Sequence, residues 1–189
     1  MGMNNMKYVI ESDKELILEL DNKYDNYEFI LNDNSYLNLK QIYNLESVNK
    51  IINIDLNGIN SKVDYRLSTL ADKDQSFTLN INHNNKNTIS NVINHGVVIN
   101  SSKLEFVVNT KIDKGNSKSI LNQESRIITM GDNNSIIKPN MFIEEYDVEA
   151  RHAATIGKFS KDDIFYLRSK GLTEKEANDI LIKGFLEVK

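Results

Sequence analysis

Three histidines, His83, His95 and His152, are the side chains of this 189-residue chain best suited to bind a transition metal or move a proton near neutral pH. They stand 12 and 57 residues apart, so no pair has local metal-site spacing. His83, beside an Asn-rich turn, reads as a corner hydrogen-bonder, and His95, followed by Gly96, reads as a solvated turn residue. A second candidate is NIDLNGINSKVD, which sets Asn53, Asp55, Asn57, Gly58 and Asp64 at positions one, three, five, six and twelve of a calcium-loop series. Position one is Asn, position twelve is Asp rather than a bidentate Glu, and the segment begins inside an alternating strand. It reads as strand and turn. The carboxylates Glu144, Glu145, Asp147 and Glu149 have acid–base chemistry, but acidic residues alternating along a strand ordinarily make one solvated face. Neither a phosphate-binding loop, a nucleophile elbow nor a zincin motif is present. The chain has no Cys, which excludes disulfides, thiolate nucleophiles and Cys-ligated zinc or iron–sulfur sites built from this chain alone. The motifs point away from a self-contained enzyme, with no catalytic residues.

The elements that must position these residues are mainly β. The chain holds 27 Asn, 23 Ile and 10 Val against 5 Ala and one Pro, a mixture that favours pleated structure. A net charge of −4 and a pI near 5.5 argue against a nucleic-acid partner. No apolar run approaches the roughly 20 residues of a membrane helix, and MGMNNMKYVI lacks a signal-peptide pattern. The expectation is a cytoplasmic protein with no membrane partner.

Residues 1–6 read as a disordered start. Leu16, Leu18 and Leu20 alternate, as do Phe29 and Leu31, then Leu37 and Leu39, each a half-buried strand signal. Markers at Ile54, Leu79, Leu104 and Ile128 recur after 25, 25 and 24 residues, a period that suggests stacked rungs of a β-solenoid. Asn, Asp and Gly between them can turn the chain at rung corners. A sandwich of hairpins would give similar short strands. After Val148 the pattern changes. Ser160 with Asp163 reads as a helix start that stops at Gly171; Thr173 and Glu176 form a capping box, followed by the stripe Ala177, Ile180, Leu181, Gly184 and Phe185. The expected division is a solenoid over 7–150 and a helical segment over 151–189.

The segment from Lys138 to Phe185 resembles the closing segment of the SufB/SufD family of iron–sulfur cluster assembly proteins. It supplies Pro139, Ile143, Asp147, Val148, His152, Ala154, Thr155 and Gly157, then Phe165, Tyr166, Leu167, Lys170 and Gly171, then Glu176, Ala177, Gly184 and Phe185. Upstream, His83, Thr88, Ser90 and Gly96 match more loosely, and before about Ile52 the match is weak. The resemblance implies a right-handed parallel β-helix (β-solenoid) followed by a short C-terminal two-helix segment. It also implies a chain shortened relative to full-length members, without their N-terminal helical region and several rungs.

In that family SufB and SufD pair through their β-helices, and each binds a SufC ATPase through its C-terminal helices. The resemblance therefore implies a SufC-type ATPase and a SufB-like subunit, or a second copy, as partners. Phe165, Tyr166, Leu167, Arg168 and Phe185 would serve ATPase docking. The alternative for Phe165, Leu167, Ile180, Leu181 and Phe185 is to glue the helices to the β body, the favoured reading for Ile180 and Leu181. His152 matches the family histidine near the subunit interface, a candidate iron or cluster ligand in the SufD branch. Ala153 stands where the SufB branch has Glu, and Ala150 offers no ligand, so the chain resembles SufD more than SufB. Any thiolates must come from a partner, and no cofactor is expected on this chain alone. Two functional readings stand: a non-catalytic SufD-like scaffold component, and a degenerate β-solenoid interaction module without a cluster-assembly role.

Overall fold

Alternation of apolar and polar residues puts one face of each strand inside. In the computed structural model, which describes residues 4–44, 46–131 and 134–187, that pattern runs through twelve strands. They are β1 (Asn5–Ile10), β2 (Glu15–Glu19), β3 (Asn26–Leu31), β4 (Tyr36–Asn44), β5 (Val48–Leu56), β6 (Lys62–Ala71), β7 (Gln75–His83), β8 (Ile89–Val98), β9 (Leu104–Ile112), β10 (Ser119–Thr129), β11 (Ile136–Ile143) and β12 (Val148–Gly157). Two helices follow, α1 (Lys161–Ser169) and α2 (Glu174–Leu186).

Odd strands form one six-stranded sheet in the order β1-β3-β5-β7-β9-β11, and even strands form a second in the order β12-β10-β8-β6-β4-β2. Every pairing is parallel and joins successive rungs, so the chain winds as a β-solenoid. Between the sheets lies a column of buried side chains, among them Phe29, Leu31, Leu37, Ile54, Leu67 and Phe106. Tyr8 pairs with Phe29, Phe29 with Ile54, Ile54 with Ile81, Ile81 with Thr110 and Thr110 with Met141, so successive rungs take 21, 25, 27, 29 and 31 residues. The expected 25-residue period falls short of the rungs that the markers Ile54, Leu79 and Leu104 span, which take 27 and 29 residues. Ile128 does not continue the other three markers: it lies on β10, in the opposite sheet.

Each rung turns the same corner by the same chemistry. Asp13, Asn34, Asn60, Asn87 and Lys118 have φ between 55° and 60°, the left-handed region that Asn and Asp tolerate. The N–H of Asp13, Asn34, Asn60 and Asn87 donates to the next rung at Asp33, Ile59, Lys86 and Ser117. The hydroxyls of Ser35, Ser61, Thr88 and Ser119 then donate to the carbonyl three residues back, at Asn32, Gly58, Asn85 and Asn116. Gly58 is needed for close approach, since a Cβ there would lie 2.0 Å from the Asn32 carbonyl carbon.

The Asn richness also follows from the stacking. Asn53, Asn80, Asn109 and Asn140 share one register column, and the amides of the last three each donate to the oxygen one rung before, at 2.8 Å. Asp64, Asn91 and Asn122 repeat the arrangement on the other sheet. Asn53, Asp55, Asn57 and Asp64 of the calcium-like series each accept a bond from a neighbouring rung and do not converge.

Two boundaries move. Asn5 and Met6, placed in the disordered start, pair with Asn26 and Tyr27, and Met6 packs on the core; residues 1–3 lie outside the described residues. At the other end β12 runs to Gly157, because its backbone pairs with β10 along its whole length.

Candidate functional site

The last rung carries His152. Parallel register sets β12 residue by residue against β10, with His152 opposite Gln123 and Ala154 opposite Ser125, both on the buried face of β10. Among the described residues no further rung covers β12, so nearly all of it is exposed, including His152, Ala153, Ala154 and Ile156. One rung below, the Gln123 Nε2 donates to Thr110 Oγ1 at 2.7 Å, while its Oε1 is buried without a partner. An exposed imidazole therefore stands beside an uncommitted amide oxygen. Among the described residues, no three His, Asp or Glu side chains gather closely enough to hold a metal ion. A metal on His152 would need ligands from another chain.

His152 also borders a groove of about 540 Å³ with Arg151, Asn122, Glu124, Asp64 and Arg66. Asp64 is ionised there: burial works to raise its carboxyl, but bonds from Tyr36, Asn91 and Lys62 outweigh it and hold the group below its ordinary value.

The helix pair is built from local signals. The Ser160 side chain caps α1 by accepting from the Asp162 N–H, and Asp162 and Asp163 complement the helix N-terminus. Gly171, at φ +94°, makes the turn out of α1. Thr173 and Glu176 close the capping box of α2 in both directions. Phe165 is 74% exposed and Tyr166 is 60% exposed, large apolar areas on a two-helix unit. Lys170 lies over the Tyr166 ring at 5.3 Å, Arg168 reaches Glu174 at 3.4 Å, and Leu167 is half-buried.

Phe185 points elsewhere. Its ring stacks on His95 at 4.7 Å and meets the edge of Phe159 at 6.2 Å, so it anchors α2 to the β body. Ile180, the expected glue, is 49% exposed, while Leu181 is half-buried. α2 meets the sheet with its last turn, at Phe185 and Leu186.

The remaining sequence candidates divide. His83 is a hydrogen-bonder, but a buried one: Nδ1 meets Thr88 Oγ1 at 2.7 Å, Nε2 meets Ser90 Oγ at 2.9 Å, and burial pushes the ring's pKa down to about 4. His95 is not a turn residue. It lies within β8, where a Cβ on Gly96 would lie 2.3 Å from Leu104 Cδ2 and push the Leu104 and Phe106 side chains aside. Glu144, Glu145 and Asp147 lie in the connection between β11 and β12 rather than on a strand. There Glu145 accepts the N–H groups of Gly115, Asp147 and Tyr146, which hold its carboxyl below the ordinary range. Sequence reasoning missed Ser68 and His95 as the seat of the helix pair, since partners 118 and 90 residues distant leave no local signal.

Among the described residues, no helix is long and apolar enough to cross a membrane. The family model for the SUF system FeS cluster assembly SufBD core domain matches residues 20–185. The iron–sulfur cluster assembly protein SufD of Bacillus subtilis is 34% identical over 117 residues, covering 61% of this chain and 27% of that protein. A SufBD family protein of Mycobacterium tuberculosis is 32% identical over 103 residues, covering 53% of this chain and 12% of its own length. One from Pyrococcus horikoshii is 44% identical over 41 residues, 22% of this chain and 9% of that protein. The match thus spans little more than a quarter of the first of these relatives and less of the others. With parallel rungs, an exposed imidazole at the last rung and the capped helix pair inside the matched span, this chain belongs to the SufBD family of iron–sulfur cluster assembly proteins.

Proposed function

We propose that the chain is a non-catalytic, SufD-like scaffold component that docks an ABC-type SufC ATPase through its helix pair. The observation that carries this reading is the exposure of Phe165 and Tyr166 on a unit tied to the β body at the far end of α2. Aromatic side chains beside Arg168, with backbone fixed by two good caps, have the composition of a binding hot spot. Leu167 is half-buried beside them, and Phe185 ties α2 to the β body through His95. A pull-down with a SufC-type ATPase tests the reading. Capture by the wild-type chain, lost in Tyr166→Ala plus Arg168→Ala, is expected. Failure of the wild type to bind would favour a solenoid interaction module with no place in cluster assembly.

The open rung supports a second contact. β11 and β12 are edge strands of their sheets, and an uncovered edge is a template for another chain. A second copy or a SufB-like subunit paired there would cover Ala154 and Ile156 and bring its own ligands to His152. Iron or a cluster would be held as cargo between two chains. Light scattering at micromolar concentration should give a dimer that Ala154→Arg disrupts. A monomeric wild type that stays monomeric with a SufB-like partner would reject the contact.

A further inference from the structure

The seat of α2 contains a hydrogen-bond imbalance that only a proton resolves. The C-terminal carbonyls of a helix have no partner within the helix, and here two are met by the sheet. The Ser68 hydroxyl donates to Leu186 O at 2.8 Å, and His95 Nδ1 lies 2.9 Å from Phe185 O. His95 Nε2 lies 3.2 Å from Glu124 Oε1. Both partners of the ring, a carbonyl and a carboxylate, are acceptors. A neutral imidazole has one N–H, so either tautomer would aim a lone pair at an oxygen. The doubly protonated ring satisfies both.

The charges around the ring fit that state. Glu124 on β10 supplies the counter-charge, and the α2 C-terminus presents the negative end of its dipole. Arg126, also on β10 and level with His95 in register, opposes the ring's charge. It donates to Glu124 Oε1 at 3.0 Å, so that oxygen faces the ring as an acceptor. From α2 come Lys183 and Glu187, which pair with each other at 3.7 Å, and from β6 comes Arg66.

We propose that His95 is a proton-operated latch: a doubly protonated ring, stacked on Phe185 and bonded to Glu124, locks the C-terminal helix pair onto the even-numbered sheet, and loss of the proton releases it. Seating α2 takes up one proton, so seating weakens as pH rises. The ring stack and the Ser68 bond remain in the neutral state, so release is a loosening of the last turn rather than full separation. Should the helix pair dock an ATPase, the latch would set its angle to the β body; that consequence alone rests on the function proposed above.

Hydrogen exchange on the isolated full chain tests the latch without any partner. In the wild type, protection of the last-turn α2 amides, corrected for intrinsic exchange, should fall about tenfold between pH about 6 and about 8, the equivalent of one hydrogen bond to a charged group. Core amides of β6 should hold constant as the internal reference. Glu124→Leu separates the latch from a general pH effect, because with no acceptor at Nε2 the neutral ring can give its one N–H to Phe185 O. Its protection should be flat with pH. His95→Phe retains the stack without donors and should be weakly protected at both values. Constant protection in the wild type, or a Glu124→Leu profile that follows the wild type, would overturn the latch.

Discussion

Acid should weaken the solenoid through one buried ring. His83 is 1% exposed and bonded at both nitrogens to hydroxyls, Thr88 and Ser90, that can rotate to suit a neutral imidazole. Burial lowers its pKa from 6.5 to about 4. Above pH 6.5 the ring is neutral in both the folded and the unfolded chain and adds no pH dependence. As pH falls below that value the unfolded chain takes up a proton that the folded one refuses, so stability falls with pH, levelling off only below about 4. The depression is worth about 3 kcal/mol over the window, at no more than about 1.4 kcal/mol per pH unit. His83→Gln retains a donor and an acceptor for the two hydroxyls and does not titrate. Urea midpoints of wild type and variant, measured across this window at constant ionic strength, isolate the effect, since His95, His152 and the carboxylates are common to both. The wild type should lose about 3 kcal/mol more than the variant on acidification. Parallel losses would show that His83 is not the group that excludes the proton.

Glycine substitutions should divide by what their Cβ meets. Gly58→Ala drives a methyl group into the Asn32–Asp33 backbone and should cost more than about 3 kcal/mol in chemical denaturation, or abolish folding. Gly184→Ala meets nothing within 4 Å inside α2 and should stabilise that helix by about 0.5–1 kcal/mol, seen as increased helicity or slower exchange. Breaking the amide ladder in the middle should cost more than at its end: Asn109→Ala removes two bonds, to Asn80 and from Asn140, for about 2 kcal/mol. Asn140→Ala removes the one bond to Asn109, for about 1 kcal/mol, and equal losses would refute a ladder of independent bonds. Lys50→Met should destabilise by about 2 kcal/mol, because the buried ammonium that donates to Asn22 and Tyr24 carbonyls would leave both unmet.

What could be read in the sequence was whatever local chemistry decides. The caps of α1 and α2 are made within three residues of their donors, so Ser160, Thr173 and Glu176 announce both helices correctly. Alternation announces the strands because each has one buried face, as in β6 and β7. The apolar markers understated the rung length, since a marker can slide by an even number of residues and still point inward; Leu79 lines up with Val108, four residues beyond Leu104. A better marker is the corner itself. A left-handed residue followed by a buried hydroxyl recurs at Asn34-Ser35, Asn60-Ser61, Asn87-Thr88 and Lys118-Ser119, and its spacing follows the true rungs because backbone conformation cannot slide. The same distinction explains His95. Gly96 has the look of a turn glycine, but its constraint comes from Leu104 and Phe106 across the core, and Phe185 arrives from 90 residues away. Residues whose role depends on a neighbour in the next rung, or on a helix folded back from the end of the chain, carry no local pattern. In this protein the seat of the proposed docking unit is made entirely of such residues.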